Sequence, residues 1–210
     1  MKNYVVSLLF LFVIACKNDN TSQRSEIKFV KEIPKDNKGR EMLFQSVRFS
    51  EKLMNLNQIE NGFDSMEIRL WFYYERKDTG QLIVIKNENK KWNCIYYNFI
   101  DIYSDSTTSL TSIKADKIEL HPKDSWQFVV DSLFSYNILT LPHFTKVPGY
   151  ANLTPNDANY VSIELATKTY YRLYGYPAPA SVLDKKEGVE MERIINFIKK
   201  EFSITLIEKI

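Results

Sequence analysis

Between Met66 and Tyr74 the chain alternates strictly, with Met66, Ile68, Leu70, Phe72 and Tyr74 set against Glu67, Arg69, Trp71 and Tyr73. A period of two defines a β-strand with two distinct faces, and a helix cannot satisfy it. No other feature restricts the fold so tightly. Gln81–Lys86 follows as a run too apolar on both faces for an exposed strand, and Trp92–Ile102 as a third strand rich in rings. Such residues suit a pleated, half-buried surface. Asp78-Thr79-Gly80 and Asn87-Glu88-Asn89-Lys90 lie between the strands as turn signals, with Gly80 read as the residue supplying positive φ. The three strands predict an antiparallel meander.

Beyond a Ser/Thr loop at 104–109, Ile118–Leu120 reads as a further short strand. Helix follows, with Asp124 as N-cap and Gln127 three residues on in a capping-box pattern. Trp126, Val129, Val130, Leu133 and Phe134 then fall on one helical face. A second hairpin is expected from Tyr160–Ala166 and Thr169–Tyr174, closed by Thr167-Lys168. Met191, Ile194, Ile195, Ile198 and Phe202 recur at helical spacing, with Glu187, Glu190 and Glu192 early and Lys199-Lys200 late, as the helix dipole favours. Paired strands with helices segregated late predict an α+β fold. It is an antiparallel β-sheet, a meander plus a second hairpin, packed by two helices at about 125–136 and 187–202. Two cysteines make no disulfide framework, so a core must hold this fold.

The N-terminus carries different information. Met1-Lys2-Asn3 is a short positive start, and Tyr4–Ala15 is uncharged and apolar before Lys17-Asn18-Asp19-Asn20 ends it. Twelve helical residues reach about 18 Å, short of the about 30 Å of a bilayer core, so a secretory signal fits better than a membrane span. Val13-Ile14-Ala15-Cys16 resembles the lipobox of bacterial lipoproteins, with valine where leucine is commoner. The resemblance implies cleavage between Ala15 and Cys16 and acylation of the Cys16 thiol. It also implies a partner, the lipid bilayer, with more than one acyl chain needed for stable anchoring. Lys17 rather than aspartate after the cysteine favours the outer membrane. The domains expected are a signal peptide at 1–15, a lipidated N-terminus and flexible tether at 16–41, and a single α+β domain at 42–210. Within the tether, Ile27, Phe29, Val30 and Ile33 are placed as a short strand.

Catalytic patterns are scarce. His121 and His143 are the only histidines, and no His-Glu-x-x-His, Cys-x-x-Cys or EF-hand loop is present, so no metal or cofactor is expected. There is no Gly-x-Ser-x-Gly elbow and no Gly-rich phosphate loop. Cys94, between Asn93 and Ile95 in a predicted strand, reads as a packed thiol. Lys+Arg 28 against Asp+Glu 26 leaves no basic excess for nucleic acid.

Rings remain. Trp71 and Tyr73 share a strand face with Arg69 and the glutamates, which would let them stack on a sugar or grip a peptide; equally, such rings fill a sheet. The expectation is a membrane-anchored envelope lipoprotein whose domain serves non-enzymatic binding or assembly, with an envelope protein or a glycan as its partner. A glycan- or peptide-binding module using Arg69, Trp71 and Tyr73, and a hydrolase with a carboxylate or histidine–acid site, are the alternatives.

Overall fold

A computed structural model of the chain describes residues 28–74, 78–104, 106–107, 109–154 and 158–206. The expected signal, Cys16 and the tether as far as residue 27 lie outside the described residues, as do 75–77 beside the first expected turn.

The alternating segment forms β2 (Met66–Tyr73), and only its two end residues are less than fully buried. Both of its faces therefore need cover. It pairs antiparallel with β3 (Thr79–Glu88) on one side and β6 (Tyr160–Thr167) on the other. The expected meander of β2, β3 and β4 (Lys91–Tyr103) continues into β5 (Leu110–Leu120), a full strand where only Ile118–Leu120 had been expected. Most of β5 is exposed at the sheet edge, so it lacks the apolar alternation that marks β2. The second hairpin, β6 with β7 (Tyr170–Pro177), joins the same sheet through β2. At the opposite edge, β1 (Val30–Glu32) lies parallel to β7. The result is one seven-stranded mixed sheet of order β1-β7-β6-β2-β3-β4-β5.

The fold is α+β, with more helix than expected. α2 (Trp126–Ser135) and α4 (Lys186–Glu201) match the two predicted helices and cover one face of the sheet. Val129, Leu133, Met191, Ile194 and Ile198 pack there on Ile68, Leu70, Ile83, Ile85 and Ile163. The cap of α2 is Ser125 rather than Asp124: the Ser125 side chain accepts from the Phe128 amide at 3.2 Å. Asp124 instead donates its own amide to Glu201 Oε1 at 2.5 Å, tying the start of α2 to the end of α4. The connection after α2 holds a one-turn helix, α3 (Tyr150–Leu153).

The correction of substance is α1 (Met42–Leu53), which covers the opposite face. A second core forms beneath it from Val47, Ile59, Trp71, Leu82, Val84, Phe99, Tyr171 and Leu173. Its buried positions are Val47, Ser50 and Glu51. Polar residues at two of the three interrupt the apolar stripe that Leu43, Phe44 and Val47 begin. Phe29 and Ile33 also pack into this second core, so the folded domain includes β1 and begins well before residue 42.

Gly80 corrects a further expectation. It lies inside β3 opposite Tyr73, not at a positive-φ turn position. A Cβ there would stand 2.2 Å from the Phe99 ring, so glycine is required for space. The β3–β4 turn is the one built on left-handed residues, Asn89 (φ 52°) and Lys90 (φ 64°). That pair matches the twist of the strands it joins.

Candidate functional site

Arg69, Trp71 and Tyr73 do share one face of β2, and α1 lies over it. Trp71 is wholly buried and stacked on Tyr73 with ring centroids 6.0 Å apart. Its indole Nε1 donates to Glu164 Oε2 at 2.8 Å, and the Tyr171 hydroxyl donates to Glu164 Oε1 at 2.8 Å. Neither the indole nor the guanidinium of Arg69, 3% exposed, can meet a sugar or a peptide. The alternation of rings with charges marks a buried polar layer, not a solvent face.

That layer is an ion network. Arg48 of α1 pairs with Glu51 at 2.5 Å and Glu60 at 2.6 Å, and also with Glu164. Arg69 pairs with Glu67 at 2.6 Å and with Glu51, and its Nη2 donates to the Asn57 carbonyl at 2.8 Å. The carboxyls of Glu51, Glu60, Glu67 and Glu164 thus face two guanidiniums. Burial first, and the neighbouring Glu164 next, push the Glu51 carboxyl up to about 9. Glu51 therefore carries a proton at neutral pH, which relieves the excess negative charge. A buried carboxyl with a raised pKa is a group that acid–base enzymes use. Here Glu51 and Glu164 have fully buried side chains beneath a helix, and no substrate reaches them with α1 in place.

The remaining sequence candidates are structural. Burial first, with Lys146 adding, lowers His143 to about 4, and its Nδ1 accepts from the Gly175 amide at 3.0 Å. A neutral imidazole buried as a backbone acceptor is a packing element. His121 is exposed. Burial pushes the Cys94 thiol up to about 12, which removes its nucleophilic form. In β7, the Tyr174 hydroxyl donates to the Ile138 carbonyl at 2.6 Å and Tyr176 to that of Pro142. Arg172 donates to the Leu139 carbonyl at 2.6 Å and pairs with Glu32 of β1 at 3.0 Å. Tyr174, Tyr176 and Arg172 therefore peg the segment after α2 onto the sheet. Among the described residues, no group of three or more His, Cys, Asp or Glu converges as a metal site.

A cavity of about 380 Å³ opens on the other face, at the end of the sheet where β2 finishes and β6 begins. It falls within the about 300–1,000 Å³ usual for small-molecule sites. Phe72, Tyr74, Val161, Ile195 and Leu206 make an apolar floor, and Glu192 and Lys199 of α4 stand among its lining. The walls are fixed. Tyr74 donates to Gln81 Oε1, and the Gln81 amide donates to Tyr96 and, at 3.2 Å, to the Thr205 carbonyl. Ala178, also in the lining, has φ 41° and ψ 56°, left-handed without being glycine. Such a residue costs about 1–2 kcal/mol and persists where its surroundings enforce it; here its amide is held by the Asn159 carbonyl at 2.8 Å. The sequence pattern assigned Phe72 and Tyr74 to the strand's core face. It could not show that a cavity lies beside them.

No family model matches the chain, and neither a curated protein nor a solved structure matches it. Among the described residues, no helix is long and apolar enough to cross a membrane.

Proposed function

We propose that the chain is a bacterial envelope lipoprotein, acylated at Cys16 and held at the outer membrane, whose α+β domain works by binding rather than catalysis. The observation that carries the anchor is Val13-Ile14-Ala15-Cys16, placed directly after a positive start and an apolar run. Support for binding over catalysis comes from the carboxyls of the ion network, roofed by α1, and from a preformed cavity elsewhere. The cavity takes the place of the Arg69, Trp71 and Tyr73 face in this reading. A hydrolase at Glu51 and Glu164 would require α1 to leave the sheet.

The test is metabolic labelling with an alkynyl fatty acid, followed by membrane fractionation. Wild-type protein is expected to label and sediment with outer membranes, and Cys16→Ser to do neither. Label retained on Cys16→Ser, or wild-type protein free in the cytosol, would refute the anchor.

A further inference from the structure

We propose that the cleft where β1 ends against β7 binds a phosphate group through His143 and Lys146. The site is separate from the cavity at the end of β2, and the inference does not depend on the anchor.

His143 is only 8% exposed, yet its packing role uses one ring nitrogen alone. The Gly175 amide donates to Nδ1 at 3.0 Å, so that nitrogen carries no proton and the ring proton sits on Nε2. Among the described residues Nε2 has no hydrogen-bond partner, and it is not sealed from solvent. A nearly buried donor in this state calls for an acceptor. The ring lines a cleft of about 220 Å³ together with Lys31, Glu32, Lys146 and Arg172. That volume is below the about 300–1,000 Å³ usual for organic ligands and suits a small ionic group.

Charge selects the ion. Arg172 spends its guanidinium on Glu32 at 3.0 Å and on the carbonyls of Leu139 and Leu141, and the Lys31 ammonium stands 4.7 Å over the Phe44 ring. These two cations contribute field, and direct contact falls to His143 Nε2 and to Lys146. Lys146 is exposed and has no ion-pair partner among the described residues. Its amide donates to the His143 carbonyl at 2.8 Å, which holds both residues on one turn. The lining thus carries three cations against one carboxylate, a surplus of two positive charges. A phosphate group, with about −1.5 to −2 near pH 7, matches that surplus, whereas a carboxylate leaves half of it unmet.

The experiment is ring-nitrogen NMR on the acylated full-length protein, labelled at histidine and held in maltoside micelles, which contain no phosphate. His121 and His143 are the only histidines, so two sets of signals report everything. His143 is expected to show the Nε2-protonated tautomer, and its signals to move saturably with inorganic phosphate and with glycerol phosphate. Tighter binding of one names the source as free ion or ester, and equal binding makes the phosphate group the whole of the ligand. Exposed His121 should stay in place. Acetate should bind about tenfold or more weakly, and Lys146→Met should weaken phosphate by a similar factor, the scale of one charged contact. The His143 tautomer signal, unchanged in Lys146→Met, reports that the variant is folded. Lys117→Met, on β5 at the opposite sheet edge, should leave binding as it is. No saturable shift of His143, an equal shift with chloride at the same ionic strength, acetate as tight as phosphate, indifference to Lys146→Met, or an equal loss in Lys117→Met would each overturn the proposal. None of these outcomes bears on Cys16, whose labelling decides the anchor by itself.

Discussion

Glu164 shows how one side chain can organise a layer. Its two oxygens accept from Trp71 and Tyr171 and pair with Arg48, so indole, phenol and guanidinium all find their partner on a single carboxylate. Buried polar groups are tolerable when satisfied in this way and costly when one partner is removed. Gly80 makes a simpler case, governed by volume alone. Its missing Cβ is space occupied by the Phe99 ring, with atoms at 2.2 and 2.5 Å from where that carbon would stand. Gly80→Ala is expected to destabilise the domain by about 1–3 kcal/mol, the usual cost of overpacking. In the double variant with Phe99→Leu, the alanine should cost much less than it does alone. Denaturant midpoints measure both, and additive losses would show that the glycine serves the backbone rather than the ring.

At the scale of the element, α1 stands apart from α2 and α4. Those two present largely aliphatic faces, whereas α1 buries Val47 beside Ser50 and Glu51, so that polar contacts of Glu51 with Arg48 and Arg69 add to the packing of Leu43, Phe44 and Val47. Its attachment therefore depends on protonation. The Glu51 carboxyl ordinarily titrates at 4.5 and is raised by the fold to about 9. The native state holds this proton across that interval while the unfolded chain releases it. Its contribution to stability is complete below pH 4.5 and is lost as pH rises through about 9. Melting temperature is thus expected to fall between pH 6 and pH 9 for the wild type and to fall less for Glu51→Gln, which cannot ionise. Parallel curves for the two proteins would remove Glu51 as the cause.

For the whole molecule, the controlling fact is that two cores share one sheet. β2 contributes Ile68, Leu70 and Phe72 to the core under α2 and α4, and Trp71 to the core under α1. Unfolding either core strips a face from the same strand, so the two cannot melt separately. Leu133→Ala on one face and Leu82→Ala on the other, both at fully buried positions, should each cost about 2–5 kcal/mol. Both should also leave a single transition by calorimetry, with calorimetric and van't Hoff enthalpies equal. Two resolved transitions in either variant would mean that the α1 layer is a separate unit.

Local pattern was enough to identify β2, β3, β4, both hairpins, α2 and α4, because each carries its periodicity within a dozen or so residues and the burial follows it. Residues 13–16 resemble a lipobox, a motif read along the chain without reference to the fold, and the proposed anchor rests on that resemblance. The helix α1, the β1–β7 pairing and the burial of Arg69, Trp71 and Tyr73 depended on partners far away in the chain. Charges on a strand face look solvated until a helix carrying Arg48 and Glu51 is laid over them, and that helix conceals itself by burying the same charges. The cavity beside Phe72 and Tyr74 is of the same kind. Hydrophobicity along a strand says which side turns inward, but only the packing of α4 against the sheet decides where that side borders a cavity.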